Sequence, residues 1–493
     1  MVYRLYKEKL NMFLLAAVAA WGVGCGEKSD PSPAPPPPAP PVETGPSQVA
    51  FWLTNPDRSA QFQKQNLALN FKASTTTNNN LTLEIDTTQT YQAIDGFGYT
   101  ITTGSAYVLN QMSAASRADL LRELFSNGNA DNTIGVSYLR LNLGASDLSP
   151  TVYSYQDVMG AAFSLAPDQA YYIPILKQIL AINPNIKLMA SPWSPPAWMK
   201  TNNSPIGGSL RPEYYNEYAG YLVQYIQDMK GQGITIDALT IQNEPLHGGN
   251  NPSMVMQAEE QKNFVKNNLG PAFRAANLNT KIVLYDHNLD RPDYPISIMN
   301  DPEAKQYVDG SAFHLYGGTI NRMSEVHNAH PDKNLYFTEQ WVGANDGDFA
   351  SNLKWHIANV IIGSMRNWSK NALEWNLAAD ANNRPFTDGG CNTCLPAVTV
   401  AGNNATRNVA YYIIAHASKF VRPNSVRVKT TLKNAQNIEV FSTLQHVGFQ
   451  TSTGKKVVLV LNDTNGDQTF NIRYRGQIIT STLKGGAVGT YVW

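Results

Sequence analysis

The sequence predicts an α/β fold: a (β/α)8 TIM barrel with a fused side β-sandwich built from the two ends of the chain. Short apolar runs alternate with amphipathic helical stretches through the middle of the 493-residue chain, as in parallel strands joined by helices. Eight such units over roughly 330 residues fit a closed barrel with extended loops. Both ends instead show short strand-like runs separated by turns, which is typical of antiparallel sheets.

Composition divides the chain into five segments. We expect a leader at 1–25, a Pro-rich linker at 26–48, sandwich strands at 49–90, the barrel at 91–420 and further sandwich strands at 421–493. A linker dominated by proline is extended and cannot join a core. It would lift a folded body away from an anchor.

The leader is similar to an export signal. Arg4, Lys7 and Lys9 precede an apolar run at residues 12–23, too short to span a bilayer but long enough for a signal-peptide core. Cys25 is similar to the lipidated cysteine of bacterial lipoproteins, although Gly22 stands where those signals usually have leucine. We expect an outer-membrane or cell-surface lipoprotein. The alternatives are a plain signal peptide that is cleaved, giving a secreted or periplasmic protein, and a cytosolic start.

The candidate barrel strands are eight apolar runs in chain order. They lie at residues 93–98, 136–142, 186–191, 238–242, 281–286, 310–316, 335–339 and 372–376. The clearest candidate helices lie at 114–125, 213–230, 258–276 and 349–367, and the clearest strands of the C-terminal segment at 437–443, 456–461 and 469–474. In such a barrel the functional groups sit where strands give way to loops at the C-terminal face.

The charge balance bears on the partner. Thirty-eight basic and 38 acidic residues give a formal net charge of zero. Nucleic acids and anionic membrane surfaces attract proteins with a basic excess, so neither is expected as the main partner. A neutral polymer such as a polysaccharide suits this composition. The one membrane contact expected is a lipid at Cys25, and nothing demands more than a monomer.

Two glutamates say most about function. Glu244 follows the fourth apolar run and Glu339 ends the seventh. Hydrolysis of a glycosidic bond needs at least two carboxyl groups in one pocket. One protonates the leaving oxygen, while the other attacks the anomeric carbon or activates water. A single strand-end glutamate is more often a solvated end or an ion-pair partner. With Asn243 placed to hold a sugar hydroxyl, we assign Glu244 as acid/base and Glu339 as nucleophile.

Cys391 and Cys394 form a CxxC motif in a loop rich in Gly, Pro and Asn. A structural zinc site needs four ligands, and no second cysteine pair or histidine cluster lies nearby. A thioredoxin-like motif would stand at the start of a helix. In an exported protein the default is a small disulfide between the two, and we expect no metal site.

Several segments together resemble glycoside hydrolase family 30, in the clan that carries its catalytic glutamates on the fourth and seventh strands. They are Ile94-Asp-Gly-Phe-Gly98, Leu139-Arg-Leu-Asn142, Ser191-Pro-Trp-Ser-Pro-Pro-Ala-Trp-Met199, Gln242-Asn-Glu-Pro245 and Thr338-Glu339. The resemblance implies a barrel with a side β-sandwich, retention of configuration and no cofactor. It also implies the same roles for Glu244 and Glu339.

The resemblance further implies sugar contacts at Arg140, Trp193, Asn243, Tyr316 and Trp375. Arg140 has an alternative as a buried partner that orients Glu339, and Trp193 has one as a core-filling side chain. His314 would hydrogen-bond the nucleophile or cap its strand. Trp341, just past the nucleophile, would line a subsite.

One departure from the family separates its branches. Glucosylceramidase-like members carry an aspartate shortly after Gly-Phe-Gly that grips the terminal glucose, and here that place is Thr103. The loop with Cys391 and Cys394 also resembles the β-1,6-glucanase branch. We therefore expect an endo-β-1,6-glucanase. The alternatives are an exo-acting β-glucosidase or glucosylceramidase and a non-catalytic glycan-binding lipoprotein; a glucuronoxylanase fits less well, because no cationic set for a uronic acid is evident.

Overall fold

The computed structural model describes residues 48–73, 78–128, 130–345, 347–441 and 443–493. The predicted leader, its Cys25 and the linker up to residue 47 lie outside these ranges. Within the described ranges, no helix combines the length and the apolar character needed to cross a membrane.

Eight parallel strands close into a barrel, which confirms the predicted fold class. In chain order, and numbered 1 to 8 from here on, the barrel strands are Gly96–Ile101, Tyr138–Leu143, Lys187–Pro192, Ala238–Thr240, Lys281–Asn288, Val308–His314, Asn334–Glu339 and Ser369–Asn376. Each overlaps one predicted run. Barrel strand 8 pairs with barrel strand 1 and closes the ring.

Helices surround the barrel. The α-helices are Thr103–Gln111, Ala114–Phe125, Tyr172–Ile182, Tyr215–Gly231, Ala258–Phe264, Gly270–Ala275, Asp293–Met299, Pro302–Lys305, Arg322–Ala329, Phe349–His356, Ser364–Arg366 and Val409–Ser418. Short 3-10 turns are Ala166–Asp168, Ala197–Met199 and Pro212–Tyr214. The π-helical segments Val265–Leu269 and Ile357–Gly363 join neighbouring α-helices into longer rods. All four predicted helical stretches are present.

Side chains inside the barrel form an apolar layer that supports a polar one. The apolar layer has one residue from each of barrel strands 2 to 8: Tyr138, Met189, Ala238, Val283, Ala312, Tyr336 and Leu373. Because side chains alternate along a strand, the residue two positions further also points inward. On six of these strands that rule gives Arg140, Ser191, Thr240, His314, Thr338 and Trp375.

Barrel strand 5 departs from this alternation. Tyr285 and Asp286 have φ angles of +70° and +67°, and the pairing with barrel strand 6 skips one residue between Tyr285 and His287. A bulge of this kind re-aims side chains. Tyr285 packs against Tyr294, 4.7 Å away between ring centroids, and Asp286 takes the inward position three residues after Val283.

Ten strands from the two ends of the chain form one sheet. They are Ala50–Thr54, Gln63–Lys64, Lys72–Ala73, Leu81–Ala93, Val426–Lys433, Leu444–Gln450, Lys456–Asn462, Gln468–Tyr474, Gln477–Leu483 and Val488–Val492. Leu81–Ala93 pairs with both Val426–Lys433 and Gln468–Tyr474, so the two chain ends share this sheet as predicted. Five shorter strands belong to barrel loops: Val342–Gly343, Ala378–Ala379, Cys394–Leu395, Val398–Ala401 and Asn404–Arg407.

The sheet folds over a core of its own and also packs on the barrel. Phe470 and Tyr491 lie on strands that are not neighbours in the sheet, yet their ring centroids are 6.1 Å apart. The two halves therefore face each other as a β-sandwich. On the strand Lys456–Asn462, Val458 and Val460 join this core, whereas the alternating residues Val457, Leu459 and Leu461 join the core of the barrel.

The strand predicted at residues 437–443 is wrong. The side chain of Asn434 accepts a hydrogen bond from the backbone N–H of Ile438, and Asn437 has a φ of +61°. These are turn features that compete with a strand. Ile438 is 60% exposed, and the strand begins only at Leu444–Gln450.

The contact between sandwich and barrel should contribute to one cooperative unfolding transition. Phe449 is fully buried and lies 6.5 Å from Phe97 of barrel strand 1 between ring centroids. We expect Phe449→Ala to lower the free energy of unfolding by about 3–5 kcal/mol, measured by urea denaturation. Phe441→Ala is the control because Phe441 is 79% exposed. An equal loss of unfolding free energy in both variants would contradict this packing.

Candidate active site

A cavity of about 570 Å³ lies at the C-terminal end of the barrel. It is lined by seven of the nine residues considered for catalysis or for the substrate site: Glu244, Glu339, Trp193, Asn243, Tyr316, Trp341 and Trp375. Arg140 and His314 do not line it. Both are fully buried directly behind the two glutamates.

The two glutamates face each other. One carboxylate oxygen of Glu244 lies within 4.8 Å of a carboxylate oxygen of Glu339, and both residues are less than one-tenth exposed. Glu244 has a φ of +45°, a strained backbone conformation of the kind found at functional sites. Its backbone N–H donates to the carbonyl oxygen of Asp286, which anchors this conformation.

The fully buried carboxylate of Asp286 is the centre of the polar layer. It accepts five side-chain hydrogen bonds: from Arg140 (2.7 Å), Ser191 (2.5 Å) and Thr240 (2.8 Å) to Oδ2, and from Thr338 (2.6 Å) and His314 (3.1 Å) to Oδ1. Burial would raise its pKa, but Arg140 and His314 hold the pKa well below its usual range. Asp286 is therefore an ionised anchor.

No role was predicted for Asp286 from the sequence. It ended the predicted fifth strand, but strict alternation places Tyr285, not Asp286, on the inward face. The bulge reverses that placement. The left-handed backbone at both residues is set by tertiary packing, and the residue types give no signal of it.

Arg140 takes the second of its two predicted roles. It donates to Oε2 of Glu339 (2.6 Å) and to Oδ1 of Asn243 (2.6 Å), so it is a buried partner of the carboxylate and makes no contact with the cavity. Because arginine only donates hydrogen bonds, it fixes the amide of Asn243 with its oxygen inward. The amide nitrogen of Asn243 is then left to face a ligand.

His314 contacts a different glutamate from the one predicted. Its Nδ1 lies 3.1 Å from Oε1 of Glu244 and 3.8 Å from Oε1 of Glu339, while Nε2 lies 3.1 Å from Asp286. Burial would lower the pKa of His314, but the surrounding carboxylates raise it to about 9. The imidazolium thus holds Glu244 in place from a fully buried position outside the cavity lining.

The two glutamates differ in their hydrogen-bond donors. Burial raises the pKa of Glu339, against the opposing effects of His314 and Arg140, and Tyr316 donates to its Oε1 (2.9 Å). Burial acts on Glu244 as well, but the hydrogen bond and charge of His314 outweigh it and lower that pKa. The donor atoms of Glu244, His314 and Glu339 are spaced as in a metal site, yet Arg140 and His314 already provide two positive charges there.

Aromatic rings and the disulfide form one wall of the cavity. Trp193 and Trp375 are 5.5 Å apart between ring centroids, and both pack with Cys394. Cys391 and Cys394 are disulfide-bonded, and both line the cavity. Trp193 is only 1% exposed, so nearly all of its ring fills the wall and little of it is available as a platform.

Asp147, which the sequence analysis missed, also lines the cavity. Burial and the nearby charges of Glu339 and Glu244 raise its pKa to about 7. Thr103 instead bonds Ser149 (Oγ1 to Oγ, 2.6 Å) and does not line the cavity. The loop after barrel strand 2 thus adds a carboxylate to the cavity. Because Asp147 does not lie at a strand end, the pattern of polar residues at strand ends does not predict it.

The raised pKa of His314 predicts how stability depends on pH. The folded protein holds this proton up to about pH 9, whereas the unfolded chain releases it near pH 6.5. The stabilisation is therefore complete below pH 6.5 and is lost as the pH rises towards 9. His314→Gln should lack this alkaline loss, measured by urea denaturation at several pH values.

His416→Gln is the control for this experiment. His416 is equally buried, but burial lowers its pKa to about 3, so its own contribution is lost on the acid side of pH 6.5. The His416→Gln variant should still lose stability as the pH rises from 6.5 towards 9. The same alkaline slope in His314→Gln as in the unmodified protein would contradict the assigned ion pairs.

Comparison with known proteins identifies the family of this chain. The glycosyl hydrolase family 30 TIM-barrel domain matches residues 94–421, and the family 30 beta sandwich domain matches residues 424–491. The endo-1,6-beta-D-glucanase neg1 of Aspergillus fumigatus is 32% identical over 426 residues, covering 80% of this chain and 82% of the relative. The lysosomal acid glucosylceramidase of Mus musculus is 27% identical over 448 residues, covering 85% of this chain and 84% of the relative.

Among solved structures, the endo-beta1,6-glucanase BT3312 superposes with a TM-score of 0.83 at 36% sequence identity. The match covers 91% of this chain and 99% of that one. The two domain matches together span most of the chain in the order that the fold shows. With two facing carboxylates at the C-terminal end of its barrel, this chain belongs to glycosyl hydrolase family 30 and is a glycoside hydrolase.

Proposed function

We propose that this chain is a retaining endo-β-1,6-glucanase that cleaves β-glucan by double displacement. The observation that carries the chemistry is the close approach of Glu244 and Glu339, with carboxylate oxygens within 4.8 Å. Retaining enzymes hold their two carboxyl groups about 5–5.5 Å apart, whereas inverting enzymes need about 6.5–9.5 Å to admit water. The relatives named as endo-1,6-glucanases, at 32% and 36% identity, support the linkage.

In the first step Glu339 is the nucleophile and Glu244 the acid. An oxygen of Glu339 bonds to the anomeric carbon while the bond from that carbon to the glycosidic oxygen breaks. Glu244 gives its proton to the departing oxygen. The products are a glycosyl ester on Glu339 and a shortened glucan that leaves with the proton.

The second step returns the enzyme to its starting state. Glu244, now a carboxylate, takes a proton from water as the water oxygen bonds to the anomeric carbon. The ester bond breaks and the electron pair returns to Glu339. Two inversions at one carbon leave the product with the original β configuration.

His314 accounts for the proton that Glu244 must hold. Its Nδ1 lies 3.1 Å from Oε1 of Glu244, so moving one proton across this hydrogen bond converts an imidazolium and a carboxylate into a neutral imidazole and a carboxylic acid. Asp286 still accepts a hydrogen bond from Nε2. Burial raises the pKa of Glu339, while the hydrogen bonds from Arg140 and Tyr316 stabilise the carboxylate form that acts as nucleophile.

The position of carboxylates in the cavity favours an endo-acting enzyme over the exo-acting alternative. The aspartate of glucosylceramidase-like members would stand at Thr103, whose hydroxyl is bonded to Ser149 behind the cavity. Without that carboxylate, recognition of a lone terminal glucose loses one of its contacts. Asp147 offers a carboxylate from another direction.

Product analysis tests this function. On β-1,6-glucan the protein lacking residues 1–47 should first release mixed short oligosaccharides, and turnover of an aryl β-glucoside should be slow by comparison. The first products should carry the β configuration by proton NMR. Release of glucose alone, or activity confined to the aryl glucoside, would assign the protein to the exo-acting branch.

Substitution of each glutamate should separate the two roles. Glu339→Gln should lower kcat on every substrate by about 10⁴-fold or more, because no ester can form. Glu244→Gln should lower kcat on the polymer by about 10²–10⁴-fold. On dinitrophenyl β-gentiobioside it should still release a rapid burst of dinitrophenolate, since that leaving group needs no proton. A burst from Glu339→Gln instead would reverse the assignment.

We also propose that the enzyme is a monomeric surface lipoprotein carried on the lipid of Cys25. Its support is the sequence alone: a basic start, an apolar run at 12–23 and a Pro-rich spacer. Cys25→Ala should release soluble active enzyme from membranes. Membrane fractionation measures the release, and size-exclusion chromatography measures whether the released enzyme is a monomer. Unchanged membrane association would overturn the proposal.

A further inference from the structure

We propose that the active-site cavity continues into a second sugar-binding cavity, where Trp355 and Gln340 hold a further glucosyl residue of the bound chain. This inference rests on the proposed function, because its ligand is the same β-1,6-linked glucan. It names a binding site beyond the carboxylate pair.

The second cavity has a volume of about 580 Å³ and lies between the barrel and the sandwich. Its walls come from the end of barrel strand 7, from the helix Phe349–His356 with the π-helical turn after it, and from Asp463 of the sandwich. Gln340, Trp341 and Trp355 line both this cavity and the one that holds the glutamates. A polymer bound at Glu339 can therefore extend past these three side chains.

Trp355 has the position of a stacking platform. It is 40% exposed, in contrast to the nearly buried Trp193 and Trp375. The next residue, His356, is buried and bonded to Glu374 (2.8 Å), which fixes this turn of the helix. A large exposed ring beside a cavity indicates a binding surface, and the apolar face of a sugar ring suits it.

Gln340 supplies a polar group at the junction of the two cavities. The residue is only 6% exposed, and among the described residues its Oε1 has no hydrogen-bond partner. A buried amide oxygen without a partner costs free energy unless a ligand or water completes it. A sugar hydroxyl is a donor of the right kind.

The charge of the second cavity favours a neutral occupant. Lys354 pairs with Asp463 at 2.9 Å, so the opposite charges on its wall compensate each other. His356 is occupied by Glu374. Asn352 and Asn359 add amides to the lining. Paired charges with amides and an aromatic ring match an uncharged carbohydrate better than an anion or a cation.

The test compares kcat/KM on β-1,6-linked gluco-oligosaccharides of two to eight units. For the unmodified enzyme kcat/KM should rise with length as the second cavity fills. Trp355→Ala should lower kcat/KM about tenfold more on the longest substrate than on the shortest, because an aromatic contact with the bound chain is removed. Trp355→Phe should restore much of the difference. The dependence of the loss on substrate length is the readout that a merely structural role for the ring would not change.

Tyr107→Ala is the matched control, since Tyr107 is 39% exposed and lines neither cavity. It should leave the length dependence unchanged. If Trp355→Ala lowered kcat/KM equally at every length, or not at all, the sugar-binding role of the second cavity would be overturned while the proposed function stayed intact. Failure of the unmodified enzyme to cleave any oligosaccharide of this series would overturn the proposed function and this inference with it.

Discussion

The ionised carboxylate of Asp286 is the constraint on which the active site depends. Fully buried, it binds Arg140 on one oxygen and His314 on the other. Arg140 in turn holds Glu339, and His314 holds Glu244. One anion thus fixes the position of two cations, and helps to keep His314 protonated. Through these cations it positions the two reacting carboxylates. A buried charge is tolerated only where partners satisfy it, and here those partners are also the supports of the catalytic groups.

The barrel explains why this network can form. A closed ring of parallel strands brings inward side chains from seven strands to one level, and an apolar layer below fills the space beneath it. The network needs one more carboxylate than strict alternation provides, and the bulge on barrel strand 5 supplies it. The sandwich and the disulfide loop act further out: the disulfide shapes a wall of the cavity, and Asp463 extends the surface available to a polymer.

Elements with a strong periodic signal could be predicted, including all eight barrel strands, four helical stretches and the glutamates at two strand ends. Features that depend on backbone geometry could not. Asp286 lies inward because of two left-handed residues, and His314 at the end of barrel strand 6 reaches both Asp286 and Glu244 with its two ring nitrogens. Asp147 lies on a loop whose path is fixed by distant contacts, including the backbone bond from Thr387. The strand wrongly placed at 437–443 had the right alternation but also an Asn434 turn.

Kinetics of Asp286→Asn measure how far the active site depends on the buried anion. If Asp286 positions Arg140 and His314 and helps to keep His314 protonated, this variant should fold and bind gluco-oligosaccharides while kcat falls by about 10²–10³-fold. Its pH profile should also shift, because His314 loses an anionic partner. Asp309→Asn, at the opposite end of the barrel and bonded to Tyr336, should keep the kcat of the unmodified enzyme. An Asp286→Asn variant with unchanged kcat and pH profile would contradict the account.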